Sequence, residues 1–418
     1  MSSTSEPLAA PADANSLRDA KVIALVATAH FVSHVHIMLL PPILMLVKDH
    51  FGTGYLEIAL AMTAYNVMSA LLQTPAGFLV DRIGARVMLT LGLILSGVSL
   101  CVATLLPGYW AFLIGYALLG IANTVYHPAD YSILSATVDG KRIGKAFSVH
   151  TFAGYLGSGV TPFLVVVAVA LWGWNGGFLC AAVLSFGAAI LLMVTGSVLP
   201  RVPRKPVTTE KTTESKGSDT KVGLDLLLSG PILRNLFFYF CLAVANGGIQ
   251  TYAVVSLGAI HGTSAEVANI GLSGFLLFSA AGVLLGGIIA DRTPHHERVA
   301  AVGFAFTSTM AVLLGWVDMP TVMLIFVMCV GGLLNGIIQP SRDMMVRAVT
   351  PPGSFGKVFG FVTTGFNLGG MVAPLAFGWL MDHGQPRAIY LVVILFILLA
   401  LVTCMTRRKP EGTPAWTR

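Results

Sequence analysis

Charged residues are scarce in this chain: Asp, Glu, Lys and Arg make up 11% of its 418 residues, against about 25% in soluble domains. Hydrophobic residues make up 55%, and the mean hydropathy is +0.80. Water solvates such a surface poorly, whereas each membrane-spanning helix needs about 20 apolar residues. The composition therefore excludes an ordinary soluble enzyme and predicts an all-α membrane protein.

Long stretches without any charge mark the predicted helices. Ten such stretches occur, and two of them are long enough for a helical hairpin. One hairpin is interrupted at Pro107-Gly108 and the other at 172–177, both turn-forming sequences. The pattern therefore predicts twelve transmembrane helices.

Basic residues predict the orientation, because Lys and Arg are retained on the cytoplasmic side. Of the 25 Lys and Arg residues, only Lys48, Arg342 and Arg387 fall outside the predicted inner loops, linker and termini. We therefore expect both termini in the cytoplasm. Because topology accounts for the net charge of +6, that charge indicates no nucleic acid partner.

Cysteine is also scarce, and the five cysteines lie far apart in hydrophobic segments. This favours buried apolar side chains over a disulfide or metal site. No phosphate loop, dinucleotide-binding glycine motif, zinc signature or catalytic triad is present. We expect no enzymatic activity, no cofactor and no metal.

The segment 199–230 is polar and rich in Thr, Ser and Pro, which predicts a linker. We expect an inner tail at 1–20, a six-helix bundle at 21–198, this linker, a second bundle at 231–406 and a tail at 407–418.

An internal repeat indicates that the two bundles are related. Adding 212 aligns seven residues of the fifth predicted helix with identical residues of the eleventh: Gly144, Lys145, Phe147, Thr151, Leu156, Gly157 and Pro162. The same offset relates Asn123 to Asn335 and Pro128 to Pro340. The fold class is thus two pseudo-symmetric six-helix bundles.

The segment from Gly77 to Arg86 resembles the signature loop of the major facilitator superfamily, G-x-x-x-D-R-x-G-R/K-R/K. A degenerate copy runs from Gly287 through Asp291 to Arg292. The sequence departs from the pattern at Ala85 and Pro294. Ser33-His34, Tyr126-His127-Pro128 and the Gly/Ser-rich fifth helix further resemble the fosmidomycin-resistance branch of drug exporters.

This resemblance implies that Asp81 lies near the start of the eleventh helix, whose N-terminus attracts negative charge, and closes an inner gate. Gly77 would allow close helix approach. An ordinary polar loop cap is the alternative. The predicted inner-gate residues are Gly77, Asp81, Arg82, Arg86, Asp130, Gly287, Asp291, Arg292, Arg342 and Asp343.

The first predicted helix carries His30 and His34 on one face, while His36 points elsewhere. Histidine titrates near neutral pH, and ionisable groups within a membrane usually face a cavity. Either histidine is therefore a candidate for proton coupling, with a neutral hydrogen-bonded imidazole as the alternative.

Polar stripes occur in the fourth and tenth predicted helices. Asn123, His127 and Asp130 share one face, and Asn335, Gln339 and Arg342 repeat the spacing. We expect the stripes to face each other near the pseudo-two-fold axis, with Pro128 and Pro340 able to bend both helices. The predicted cavity or proton-coupling residues are His30, His34, Asn123, His127, His150, Asn246, Gln250, Asn335, Gln339 and Asn367.

The sequence thus predicts a monomeric secondary transporter in a lipid bilayer, most simply the bacterial inner membrane, driven by protons through alternating access. Export of a drug or small metabolite by proton antiport is the first hypothesis. Proton-coupled uptake of a small organic anion such as a carboxylate is the second. A receptor or non-transporting scaffold is disfavoured because the linker is short.

Overall fold

The computed structural model describes residues 12–139, 142–199, 224–350 and 355–405, and nearly all of them are helical. The first eight α-helices are α1 (Ala12–Ile37), α2 (Leu44–Phe51), α3 (Tyr55–Ile83), α4 (Ala85–Leu105), α5 (Tyr109–Asn123), α6 (Tyr126–Thr137), α7 (Ile143–Trp172) and α8 (Gly176–Thr195). The others are α9 (Leu224–Leu227), α10 (Gly230–His261), α11 (Ala265–Arg292), α12 (His296–Trp316), α13 (Thr321–Ala348), α14 (Phe355–Asp382) and α15 (Pro386–Met405). Residues 1–11 of the predicted inner tail, most of the predicted linker and the whole tail at 407–418 lie outside the described residues. The rest of the predicted inner tail lies in α1, which begins at Ala12.

Twelve helical segments are long and apolar enough to cross a membrane, which confirms the prediction. The first combines α1 and α2, and the fourth combines α5 and α6. The remaining spans are α3, α4, α7, α8, α10, α11, α12, α13, α14 and α15. Large apolar side chains point outward, as at Val322 with 80% exposure, and suit a surface solvated by lipid tails.

The predicted hairpin turns coincide with helix ends. Helix α4 stops at Leu105 and α5 starts at Tyr109, on either side of Pro107-Gly108. Gly108 has φ 87° and Gly173, between α7 and α8, has φ 78°. Glycine adopts these backbone conformations without the steric strain of other residues.

Proline has different effects at the two predicted bends. Pro128 lacks the amide hydrogen that the Thr124 carbonyl would accept in a helix, and the helix is interrupted between Asn123 and Tyr126. Pro340 lies inside α13, which continues unbroken. The sequence repeat is therefore not matched by an identical break in the tenth span.

Glycines bring α11 and α13 together. Gly282 and Gly286 on α11 alternate with Gly332 and Gly336 on α13, each pair four residues apart. A Cβ atom on any of the four would collide with a backbone carbonyl of the facing helix. Close backbone contact through such small-residue pairs is a common way to pack helices where lipid removes the hydrophobic driving force.

The first six and last six spans meet along two helix pairs, α3 with α14 and α7 with α11. At one end, the Asp382 carboxylate accepts hydrogen bonds from the backbone N–H groups of Tyr55 at 2.7 Å and Leu56 at 2.8 Å. Asp382 thereby caps the N-terminus of α3 from the opposite half, where the helix dipole favours negative charge.

Further hydrogen bonds reinforce the same end of the interface. The Thr63 hydroxyl donates to the Met371 carbonyl at 3.2 Å, and the Asn66 amide donates to the Gly370 carbonyl at 2.9 Å. The Asn269 amide donates to the Pro42 carbonyl at 3.0 Å. We call this the Asp382 end; Asp81, in the last turn of α3, lies at the opposite end.

The Asp81 end is open by comparison. A Cβ atom built on Gly77, Gly287 or Gly360 would find no atom within 4 Å, and Asp81 and Arg82 are exposed. In the described part of the chain Gly77 makes no close helix contact, and its predicted role stays a prediction. The described hydrogen bonds close the halves at the Asp382 end, and the described atoms around Gly77, Gly287 and Gly360 leave the Asp81 end more open.

Replacing Asp382 by Asn should loosen the closed end, because the amide keeps only one of the two acceptor oxygens and removes the negative charge that the helix N-terminus favours. That charge contributes up to about 1 kcal/mol, which changes an equilibrium roughly fivefold. A cysteine replacing Thr63, which lies in the interface, should then react about fivefold faster with a membrane-impermeant thiol reagent. Labelling is read by peptide mass spectrometry, which separates this site from the five native cysteines.

Asp318→Asn is the matched control, because Asp318 is exposed in the loop between α12 and α13. Equal labelling rates in the two backgrounds would contradict the assigned role of Asp382.

Candidate functional site

Four histidines and one aspartate converge inside the first half of the molecule. We call His30, His34, His127, His150 and Asp130 the histidine cluster. They lie on three helices that pack together: α1, α6 and α7. Asp130 is 0% exposed, His150 is 2% exposed and His30 is 4% exposed.

Asp130 is the centre of the cluster. Its Oδ2 atom accepts a hydrogen bond from His150 Nε2 at 3.0 Å and lies 3.5 Å from His30 Nδ1. The His30 and His150 rings stack with centroids 3.6 Å apart and planes at 21°. The His34 and His127 rings lie 4.6 and 5.2 Å from the His30 ring.

Small and polar residues of α7 make room for the imidazoles. A Cβ atom on Gly154 would lie 2.7 Å from His30 Nε2 and 2.8 Å from His34 Nε2. One turn further, Ser158 Oγ is hydrogen-bonded to His34 Nδ1 at 3.0 Å. Tyr131 is exposed and lies beside the cluster. The centroid of its ring is 5.9 Å from that of His127 and 5.5 Å from that of His150.

The cluster has fewer hydrogen bonds than its polar atoms require. In the described part of the chain, His30 Nδ1, His127 Nδ1 and Asp130 Oδ1 are buried without a hydrogen-bond partner. Each such atom destabilises a fold by about 1–3 kcal/mol. An added proton or cation would therefore find acceptors already in place.

Coulomb repulsion limits how many protons the cluster holds. Two full positive charges about 4 Å apart repel by roughly 4 kcal/mol at an effective dielectric constant of about 20. The stacked rings of His30 and His150 are this close, so two full positive charges on them would repel at this strength. The Asp130 carboxylate beside them would offset one positive charge.

Asp130 was predicted as part of an inner-gate ion pair, and its gate role stays a prediction. Its partners in this structure are His150 and His30, and it lies among buried residues. The prediction placed it by helix depth alone and did not consider that α1 and α7 both carry a histidine at that depth. His36, by contrast, is bonded to Ser185 at 2.6 Å and stays outside the cluster, as its helical position predicts.

A second polar group faces the interface from the other half. Arg342 Nε donates to Asp343 Oδ1 at 2.8 Å, and the Tyr239 hydroxyl donates to the same oxygen at 2.7 Å. The Arg342 guanidinium lies over the Tyr239 ring at 4.8 Å and over the Phe366 ring at 5.2 Å. Arg342 thus forms an ion pair with Asp343, and its guanidinium contacts the rings of Tyr239 and Phe366.

None of the described hydrogen bonds joins the two predicted polar stripes, and the expectation that the stripes face each other stays a prediction. Gln339 accepts a hydrogen bond from the Tyr155 hydroxyl across the interface between α7 and α13. Asn123 donates to Ser69 Oγ at 3.3 Å within its own half. The other predicted cavity residues are half-buried without a recorded hydrogen bond in the described part of the chain: Asn246, Gln250, Asn335 and Asn367.

The signature segment has only one residue with a defined tertiary bond. Arg86 donates from Nη2 to the carbonyls of Leu192 and Met193 at 3.2 and 3.0 Å, and so caps the C-terminus of α8. Asp81, Arg82 and Arg292 are exposed. The Asp291 side chain lies outside the described atoms, and the predicted gate roles stay predictions.

Several site residues were not predicted from the sequence. Ser158 lies two turns after His150 and Tyr131 one turn after His127, on the same helix faces, which helical spacing could have indicated. Tyr155 lies roughly 140° around α7 from His150, so the spacing of the histidines does not indicate it. Asp81 was predicted to place a negative charge at the N-terminus of α14. The same argument, applied to the opposite ends of α3 and α14, would have indicated that Asp382 places a negative charge at the N-terminus of α3. The aromatic contacts of Arg342 have no sequence signal.

Comparison with known proteins gives a consistent picture. The model of the Major Facilitator Superfamily matches residues 26–258 and 236–417. Among solved structures, a bacterial homolog of the human lysosomal transporter Spinster, in an inward-facing and unoccupied conformation, superposes with a TM-score of 0.73. It is 14% identical, and the match covers 96% of this chain and 100% of that one.

Characterised relatives share most of the length. The fosmidomycin resistance protein of Escherichia coli K12 is 25% identical over 393 residues, covering 91% of both chains. The multi-drug resistance efflux pump PmrA of Streptococcus pneumoniae serotype 4 is 24% identical, covering 83% of this chain and 86% of that one. With twelve membrane-spanning helices and a family model matching both halves, the chain belongs to the Major Facilitator Superfamily and is a transporter, not an enzyme.

Proposed function

We propose that this protein exports a drug or small amphipathic metabolite in exchange for protons, and that the histidine cluster carries the proton. The observation that carries the proposal is the buried Asp130 carboxylate in contact with two imidazoles. We place the protein in the bacterial inner membrane with both termini in the cytoplasm, as the distribution of basic residues predicts.

The cluster has the chemistry that proton coupling needs. Imidazole gains and loses a proton near physiological pH, and intramembrane ionisable groups in transporters commonly form proton relays. Asp130 and His150 are joined by a 3.0 Å hydrogen bond, so the carboxylate and the imidazole are close enough to pass a proton between them.

Proton movement supplies enough free energy for efflux. One elementary charge crossing a potential of 100 mV releases about 2.3 kcal/mol. Because about 1.4 kcal/mol corresponds to a tenfold ratio, one proton supports a substrate gradient of roughly fiftyfold. Export against a moderate gradient therefore needs no ATP.

The closed and open ends support alternating access between the two halves. The Asp382 carboxylate caps the N-terminus of α3 at the closed end, and Asp81 lies near the C-terminus of α3 at the open end. Helix α14 runs antiparallel to α3, so its N-terminus lies near Asp81. We infer that Asp81 caps α14 when the molecule opens at the Asp382 end, so that the two caps form in alternate states.

Resistance relatives favour efflux over uptake. The curated proteins that match across most of their length include a fosmidomycin resistance protein and a multi-drug efflux pump. Proton-coupled uptake of a small organic anion is the second candidate, because Arg342 offers a positive charge beside the interface. Asp343 already offsets that charge at 2.8 Å, which makes this candidate the weaker one.

Transport in proteoliposomes tests the proposal directly. The purified protein is reconstituted, a pH gradient is imposed, and the movement of amphipathic antibiotics and small carboxylates is followed in parallel. Antibiotic movement opposite to the proton flow is expected. Carboxylate entry together with protons would instead establish the uptake reading.

Replacing Asp130 by Asn should separate proton coupling from substrate recognition. Transport driven by the pH gradient should fall at least tenfold, because the amide cannot carry the exchangeable charge. Exchange of labelled for unlabelled substrate, which needs no net proton movement, should persist. Asp225→Asn, at an exposed position on α9, is the matched control, and unchanged gradient-driven transport in Asp130→Asn would refute the assignment.

Replacing Asp81 by Asn should slow turnover, because loss of its cap destabilises the state that is closed at the Asp81 end. The amount of protein in the membrane should stay the same, as measured by immunoblotting of isolated membranes. The matched exposed control is again Asp225→Asn. Wild-type transport rates for Asp81→Asn would show that Asp81 has no gate function.

A further inference from the structure

Three potential metal ligands converge within the histidine cluster. His30, Asp130 and His150 present one ligand atom each, and all three atoms lie within 4.8 Å of one another. Asp130 Oδ2 is 3.0 Å from His150 Nε2 and 3.5 Å from His30 Nδ1. The ligands come from α6, α7 and α1, so no sequence spacing reveals them.

These distances are close to those of a metal site. Zinc binds imidazole nitrogen and carboxylate oxygen at about 2.0–2.2 Å in tetrahedral geometry, which separates neighbouring ligand atoms by roughly 3.4 Å. The two measured separations lie on either side of this value. All three ligand atoms lie within 4.8 Å of one another. The His30 and His150 rings, now stacked with planes at 21°, must turn on their side-chain bonds to bind one ion, because an imidazole nitrogen binds a metal in the plane of its ring.

Three buried polar atoms of the cluster without a hydrogen-bond partner among the described residues are a second observation that favours a bound cation. His30 Nδ1 and Asp130 Oδ1 are buried without a hydrogen-bond partner in the described part of the chain, and so is His127 Nδ1. The His127 ring lies 5.2 Å from the His30 ring, within reach as a fourth ligand. A cation would satisfy these acceptors together, whereas a single proton satisfies one of them.

The donor set also selects the class of ion. Imidazole suits zinc, cobalt, nickel and copper, whereas magnesium and calcium prefer sites built from carboxylate, carbonyl and water oxygens. Two or three imidazoles with one carboxylate match the ligand sets that bind zinc. Magnesium is therefore a suitable negative control.

We propose that His30, Asp130 and His150 bind a divalent transition-metal ion of the zinc class, with His127 as an additional ligand. The ion is held at an enclosed position and occupies the atoms that would accept a proton. If those atoms couple transport to protons, zinc inhibits transport; this consequence rests on the proposed function, whereas the binding itself does not.

Equilibrium dialysis of the metal-stripped, detergent-purified protein against Zn²⁺ tests the site. We expect one bound Zn²⁺ per chain and no displacement by excess Mg²⁺. His30→Gln and His150→Gln should each weaken binding by at least about tenfold, since even the loss of a residue that only supports a ligand has an effect of this size. His36→Gln is the matched control, because His36 lies on α1 outside the cluster.

The proposal would be overturned if the wild-type protein bound Zn²⁺ no more tightly than His30→Gln and His150→Gln. It would also be overturned if His36→Gln lost as much Zn²⁺ affinity as those two variants. Co²⁺ provides a measurement that needs no variant, because its visible absorption reports tetrahedral nitrogen and oxygen ligands. A spectrum of octahedral, water-coordinated Co²⁺ in the wild-type protein would overturn the site as well.

Transport measured with and without Zn²⁺ keeps the two proposals distinct. Zinc binding with inhibition supports both the metal site and the coupling role. Zinc binding without inhibition supports the site and counts against the cluster as the proton carrier. Absent binding with intact proton-coupled transport overturns the metal site alone.

Discussion

Burial of the Asp130 carboxylate constrains the rest of the first half of the molecule. A fully enclosed charge is stable only when partners replace its water, and losing one partner of a buried pair costs about 3–5 kcal/mol. His150 and His30 supply those partners from two other helices. The need to bring three helices together at this point explains Gly154, whose missing side chain leaves room for two imidazoles. It also leaves a buried carboxylate in contact with two imidazoles, which is the arrangement on which the proposed proton coupling rests.

The same electrostatic principle operates where the two halves meet. A helix N-terminus favours a negative charge, and Asp382 supplies it to α3 from the opposite half. A helix cap contributes about 1 kcal/mol. The Asp382 cap therefore favours one conformation, yet it can break when the molecule changes to another. Glycines that are tightly packed between α11 and α13 keep their helices together, whereas Gly77, Gly287 and Gly360 have free space. Rigid contacts within a half and exchangeable contacts between halves are what alternating access needs.

The sequence predicted the fold well because charge and hydropathy act locally. Charge-free stretches gave the twelve spans, and Pro107-Gly108 and the segment 172–177 gave two helix ends correctly. The resemblance carried by Gly77 to Arg86 correctly indicated the superfamily. Tertiary relations were harder to predict. Helical depth suggested an inner-gate role for Asp130, but its partners come from α1 and α7, and no spacing in the chain connects them. The break beside Pro128, without a counterpart beside Pro340, likewise depends on packing that the repeat does not encode.

The most direct test of proton coupling is to measure whether a gradient of the substrate moves protons across the membrane. Proteoliposomes loaded with a pH-sensitive dye are prepared without a pH gradient, and a gradient of a transported antibiotic is then imposed. The account predicts that protons move opposite to the antibiotic, so that the lumen becomes more acidic as the antibiotic leaves it. Proton movement in the same direction as the substrate, or substrate movement with no pH change, would contradict proton antiport through the histidine cluster.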